Sequence, residues 1–399
     1  MKKDTLITQV GRNKTYTHGA VNTPVYRAST LTFDSVKEMK EAIANRHKGG
    51  LSYGRRGNPT TYALSDAICA LEQADGCFLY PSGLAALTGA LLSFLSCGDH
   101  ILMADGVYEP TRGLANSILK KMGIETTFYD PMIGAGIDAL IQNNTKVIFV
   151  ESPCSVTMEI QDIPAIAKAA RARNILVMMD NTWATPLHFK PFDHGVDLSI
   201  HAGTKYIAGH SDAMLGVVTS RAAHMEQLFN MSYQMGYCLS PDDAFLALRG
   251  IRTLKIRLKQ HEANALKVAK WLESRPEIDH VRHPALASCP GHEFWQRDFT
   301  GANGLFSFVL KQGHEAATTA MMEGMKYFKM GFSWGGYESL ILTYYGINRY
   351  RTATGWPKTE LGTGLNKFGP LVRLHVGLED PDDLIADLEM AFQRFNEKI

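Results

Sequence analysis

Short apolar runs alternate with stretches of helical periodicity through the middle of this chain. Residues 77–80, 100–104, 146–151, 175–180 and 198–201 read as strands. Residues 62–73, 84–95, 111–122 and 163–173 carry apolar positions at helical spacing. Strands alternating with helices predict an α/β domain with a mainly parallel sheet. Such a sheet carries its ligand sites at the carboxyl ends of its strands.

The flanks read differently. The first sixty residues are rich in Gly, Asn, Thr and basic residues, and predict an extended arm with one short helix over 36–45. A long helical pattern covers 246–271. Beyond it, strand 304–310 and a final helix over 382–395 predict a smaller α+β C-terminal domain. Residues 352–369 are rich in Gly and Thr and read as a long surface loop. The expected organisation is an arm over 1–60, an α/β domain over 61–250 and an α+β domain over 251–399.

Composition narrows the class. Lys+Arg is 41 and Asp+Glu is 40, a formal net charge of +1, which gives no global attraction to nucleic acid or to an anionic membrane. No apolar stretch is long enough to span a bilayer and the N-terminus has no signal-like apolar run, so the expected location is cytoplasmic. The six cysteines form no C-x-x-C pair, so no metal site is expected and they read as reduced thiols. Cys154, in a loop after a strand, is kept as a weak candidate for chemistry.

Three features fall at strand ends or helix starts. Asp180 closes a buried strand, where an acid is costly unless paired. Lys205 follows the next strand. Ser82-Gly83-Leu84 opens a helix whose N–H groups suit a phosphate. Singly, each has an ordinary reading: a buried salt bridge, a solvated lysine, a cap. Together they match what pyridoxal 5'-phosphate (PLP) requires: an amine, an acid opposite the pyridinium nitrogen and a phosphate cup. Tyr108, after strand 100–104, is placed to stack on the ring.

Six motifs in order carry a resemblance. They are Tyr53-Gly54-Arg55, Gly57-Asn58-Pro59-Thr60, Pro81-Ser82-Gly83, Asp180-Asn181-Thr182, Thr204-Lys205-Tyr206 with Gly209-His210-Ser211-Asp212, and Gly335-Gly336-Tyr337-Glu338-Ser339-Leu340. They resemble the Cys/Met-metabolism family of PLP enzymes over nearly the whole chain. The resemblance implies a fold type I, PLP-dependent transferase-like large domain. It implies Lys205 as Schiff-base lysine and proton shuttle, and Asp180 on the pyridinium. It implies Tyr108 stacked on the ring and sharing proton transfers with Lys205. Gly83, Leu84 and Thr204 would bind the phosphate, and Tyr53 and Arg55 the phosphate of a neighbouring subunit. Arg373 would grip the substrate carboxylate, with Ser333 and Trp334 placing substrate and lysine. It implies a homotetramer built as a dimer of active dimers, acting on a small amino acid. One departure is Ala202, where the family often has a Ser that bonds the phosphate.

Three places favour the β-acting branch of the family over the γ-acting one. The chain has Glu151-Ser152-Pro153-Cys154-Ser155-Val156 where γ-acting relatives typically read Glu-Ser-Pro-Ser-Asn-Pro. It has Ser333-Trp334-Gly335-Gly336 for Ser-Leu-Gly-Gly, and Phe332 where they often carry Glu. The doubled Arg55-Arg56 also looks like the bacterial β-acting members. The implied reaction is an α,β-elimination releasing a thiol, with L-cystathionine as substrate and homocysteine, pyruvate and ammonia as products, in methionine biosynthesis. The alternatives are a γ-acting relative and, from another class, a serine hydrolase. G-x-S-x-G occurs at Ser52 and Ser333, but a nucleophile elbow needs a strand before it and a helix after it. A dinucleotide-binding module lacks its G-x-G-x-x-G fingerprint.

Overall fold

The structure is a computed structural model that describes residues 1–45, 49–344, 351, 353 and 369–399. Twelve strands lie among them: β1 (Gly76–Tyr80), β2 (His100–Ala104), β3 (Glu125–Tyr129), β4 (Thr145–Glu151), β5 (Leu176–Asp180), β6 (Leu198–Ala202), β7 (Gly216–Ser220), β8 (Ile278–Arg282), β9 (Leu305–Leu310), β10 (Lys329–Met330), β11 (Leu340–Tyr344) and β12 (Leu371–His375). The chain divides into two compact units, Met1–Ser96 with Met178–Lys255 and Cys97–Val177 with Ile256–Ile399.

In the first unit β5 runs parallel to β6, with Asp180 opposite Ile200. Strands β6 and β7 are antiparallel, as are β7 and β1. The parallel pair brings the carboxyl ends of β5 and β6 to one edge, where Asp180 and the loop carrying Lys205 lie. Helix Gly83–Phe94 starts at that edge, capped by Ser82, whose Oγ accepts from Ala85 N–H at 3.1 Å. Its start lies close against β7: a Cβ on Gly216 would stand 2.1 Å from the Ser82 carbonyl oxygen. Helix Pro59–Glu72 begins with Pro at its first position and a reciprocal cap between Asn58 and Thr61.

In the second unit β2 pairs in parallel with both β3 and β4. A five-stranded sheet of order β10-β11-β12-β9-β8 is antiparallel except at β10–β11. Its core is built on Phe306, Phe308, Leu374, Leu388 and Phe392, all fully buried. At about 1.5–3 kcal/mol per buried side chain, this cluster alone is a large share of what holds that sheet to the C-terminal helix Pro381–Asn396.

The α/β reading and its strand positions hold within a residue or two. The long helical pattern over 246–271 resolves into two helices, Pro241–Ile251 and Leu254–Glu273. Gly250 sits at the break because a Cβ there would meet the Ala208 carbonyl oxygen at 2.3 Å. Glycine and β-branched Thr253 together weaken the helix at that point. The expected helix over 111–122 starts at Glu109 and passes into a π turn at Ala115–Leu119. Among the described residues, the first sixty hold three more short helical segments than expected, Lys3–Gln9, Lys14–Thr17 and a 3-10 turn at Gly54–Arg56. Most of the loop predicted over 352–369 lies outside the described residues.

Candidate active site

The first unit gathers an acid, a lysine and a helix N-terminus. Asp180 ends β5 and is 7% exposed. Its Oδ1 accepts from the Thr182 backbone N–H at 3.0 Å and from the Thr182 hydroxyl. The same hydroxyl oxygen accepts from Ala202 N–H at 2.8 Å, tying the carboxylate to the end of β6. Burial pushes the Asp180 carboxyl above the ordinary range, and the Thr182 bonds and the charges of His201 and Lys205 offset this only in part. A cation opposite this carboxylate would complete the compensation.

Lys205 lies in the turn after β6, its N–H bonded to Ala202 C=O at 3.0 Å and its C=O to Gly209 N–H at 2.8 Å. Thr204 is beside it, with its hydroxyl accepting from Leu215 N–H at 2.9 Å. At the helix start, Gly83 and Leu84 are first-turn residues whose N–H groups have no acceptor within the helix. Gly83 is there for space: a Cβ would stand 2.6 Å from the Ala202 Cβ. On β6 itself, buried His201 has Nε2 3.2 Å from Glu72 Oε1. Burial would raise the Glu72 carboxyl, but His201, helped by Ser199 and Lys190, brings it below its usual value.

Tyr53 and Arg55 fall elsewhere in this unit. Tyr53 is exposed, and Arg55 donates to Tyr233 C=O at 2.8 Å. Arg55 lines a cavity of about 600 Å³ with Arg56, Tyr62, Phe229 and Tyr237; Gly83, Asp180 and Lys205 are not in its wall.

The second unit holds the remaining candidates. Tyr108 follows β2, with 43% of its surface exposed and its backbone N–H on Glu151 Oε2 at 2.7 Å. Its loop is anchored by buried Asp105, which pairs with Arg112 and accepts from Ala353 N–H at 2.8 Å. Arg373 projects from β12. Its NH2 group donates to Ser333 C=O at 3.4 Å, and its guanidinium lies 5.9 Å from the Tyr344 ring. Burial lowers its pKa, against the influence of Tyr344 and Tyr108, but a guanidinium stays charged. Ser333 has a left-handed backbone, φ +78°, and the Phe332 side of the loop is open, with that residue 88% exposed.

The loop after β4 is strained. Val156 and Met158 have φ of +68° and +59°. Val156 C=O accepts from Ser307 Oγ at 2.5 Å, and Thr157 C=O accepts from Arg282 at 2.6 Å. Cys154, in the same loop, is fully buried, and burial pushes its thiol well above the usual value, so it is a packed thiol rather than a nucleophile.

The hydrolase alternative finds no geometry. Ser52 follows no strand among the described residues, and the loop at Ser333 leads into β11 rather than a helix. Among the described residues no group of His, Cys, Asp and Glu could hold a metal ion, and no helix is long and apolar enough to cross a membrane.

An acid, a lysine and a helix N-terminus at the carboxyl edge of parallel strands are the groups that a PLP-dependent enzyme requires. The chain belongs to the Cys/Met metabolism PLP-dependent enzyme family, whose profile matches residues 4–393. It is 49% identical over 393 residues to a cystathionine beta-lyase of Haemophilus influenzae, covering 98% of each chain. It is 48% identical over 396 residues to a cystathionine beta-lyase of Escherichia coli, again covering 98% of each. Among solved structures, a cystathionine gamma synthase of Xanthomonas oryzae, in complex with aminoacrylate and cysteine, aligns with a TM-score of 0.87 at 31% identity over 100% of both chains. PLP is therefore its cofactor, and the residues fit it. Asp180 is a buried acid whose neighbours offset the cost of its charge only in part, and the Gly83 helix start leaves two N–H groups with no acceptor within the helix.

Sequence reasoning assigned no task to Thr182, His201 or Tyr344. Thr182 stood inside a quoted motif, two residues past Asp180. His201 and Tyr344 draw their meaning from Glu72 and Arg373, far away in the chain.

Proposed function

We propose that this chain is a carbon–sulfur lyase that eliminates across Cα–Cβ of L-cystathionine, giving homocysteine, pyruvate and ammonia. The observation that carries the reading is full-length likeness, at nearly half identity, to proteins named cystathionine beta-lyase. The site agrees: position 332, before the Ser333 loop, offers a phenyl ring and no acid for a second proton removal at Cβ.

When bound, PLP draws electrons from the substrate Cα into its pyridinium ring. Lys205 holds the cofactor and takes the Cα proton. Asp180 keeps the ring nitrogen protonated, and Thr182 keeps Asp180 in place. Gly83, Leu84 and Thr204 would bind the phosphate, and Tyr108 would stack on the ring and share proton transfer with Lys205. Arg373 pairs with the substrate carboxylate through its planar fork. Ser333 and Trp334 orient the substrate. Tyr53 and Arg55 serve the phosphate of a neighbouring subunit, and the cavity that Arg55 lines, apart from Gly83, Asp180 and Lys205, supports this, so the working unit is at least a dimer and the full assembly a homotetramer of two such dimers. The cytoplasm suits its six free cysteines.

Product analysis with purified holoenzyme and L-cystathionine tests the reading. Pyruvate with homocysteine is expected. Cysteine with 2-oxobutyrate would assign the chain to γ-elimination instead.

A further inference from the structure

We propose that His375 is a positioning residue that sets the Ser333–Gly336 loop against Arg373, and through it the grip on the substrate carboxylate. Strand side chains alternate between faces, so Arg373 and His375 leave β12 on the same side. Both touch the loop between β10 and β11. Arg373 takes its first carbonyl, Ser333 C=O. His375 Nε2 lies 3.1 Å from Gly335 N and 3.0 Å from Gly336 O.

The geometry at Nε2 is restrictive. One ring nitrogen cannot accept from Gly335 N–H and donate to Gly336 C=O at once. Each tautomer therefore secures one of the two peptide groups that flank the Gly335–Gly336 peptide, at a point where Gly335 has φ +90° and Ser333 φ +78°. The ring itself is fixed. It is buried, its centroid is 5.3 Å from that of His261, and a Cβ on Gly304 would stand 3.1 Å from its Nδ1. His261 in turn bonds Val376 C=O through Nδ1 at 2.9 Å. The far end of the loop is tied separately, by Ser339 N–H and hydroxyl to Glu379 at 2.8 Å each. His375 thus governs the near half, the half that meets Arg373.

The inference rests on the reading of Arg373 as the carboxylate partner, and two measurements on the holoenzyme separate the two claims. Hydrogen exchange of the peptide over 331–339 reads the loop directly. In His375→Phe it is expected to quicken about tenfold, the loss of one buried hydrogen bond, with exchange over 178–202 unchanged. KM for L-cystathionine should rise about tenfold while kcat stays within about threefold. His375→Gln supplies an acceptor and a donor from different atoms and should restore both to within about threefold. His375→Asn is too short to reach the loop; it should behave as His375→Phe and replaces it if that variant fails to fold. Unchanged loop exchange in these variants overturns the proposal, and so does faster exchange with an unmoved KM. Failure of the parent enzyme to turn over L-cystathionine sinks the substrate reading instead, and leaves the exchange result to decide the loop.

Discussion

The Thr182 hydroxyl links the Asp180 carboxylate to the neighbouring strand: it donates to Asp180 Oδ1 and accepts from Ala202 N–H at 2.8 Å. One small side chain thus fixes an acid and the end of β6 together, at the edge where Lys205 follows. Thr182→Val keeps the shape and removes both bonds, leaving the half-buried Ala202 N–H unpaired at a cost of about 1 kcal/mol or more. PLP affinity should fall about tenfold or more, read by titrating apoenzyme with the cofactor. Thr182→Ser should stay near the parent. Equal affinity in the Val variant would show that the link is idle.

Gly83 makes a second prediction. Gly83→Ala places a Cβ 2.6 Å from the Ala202 Cβ, so the helix start must shift away from β6. Cofactor affinity should drop at least tenfold with helix content unchanged by circular dichroism. Adding Ala202→Gly should recover part of the loss, because it removes the nearest atom. A double variant no better than the single would place the strain elsewhere.

Lys205→Ala should abolish covalent capture of PLP. Borohydride treatment followed by intact mass measurement is expected to add the reduced cofactor to the parent chain and nothing to the variant. Elimination activity should fall by about 10²-fold or more, since the general base goes with the amine. A variant that still gains the mass would remove Lys205 from the site.

Acid should destabilise the protein through its buried imidazoles. Burial pushes His261 and His283 each down to about 4, against 6.5 when free in solution. Between those values the unfolded chain binds protons that the folded chain refuses, so stability is full above about pH 6.5 and falls as pH drops towards 4. Each can contribute up to about 3 kcal/mol over that span. The thermal midpoint should therefore fall from pH 7 to pH 5, and His283→Gln should flatten the fall. The same slope in that variant would clear His283 of the effect.

Much of this fold was legible because its strands are unbroken apolar runs. Strand β2 was found to the residue, and β4, β5 and β6 within one. Strand β3, Glu-Thr-Thr-Phe-Tyr, was missed because its polar residues look like a loop until it pairs with β2. β12 was missed as a strand although Arg373 was singled out, because Arg and His interrupt its apolar pattern. The site follows the same division. Asp180, Lys205 and Gly83 stand at element ends that periodicity marks. Thr182, His201 and His375 act through partners on other strands and loops, and local sequence does not announce those pairings.

Val156 bears on how such enzymes can change their chemistry. Its φ of +68° costs a β-branched residue about 1–2 kcal/mol and is closed to proline, whose ring locks φ near −65°. The γ-acting relatives typically carry proline at this place in the motif. No single exchange at position 156 can therefore carry this loop to theirs; the backbone from Cys154 to Met158 has to be rebuilt first, along with its ties to Ser307 and Arg282. For this chain, proline at position 156 therefore demands a new backbone first, and glycine is the residue that tolerates φ of either sign there.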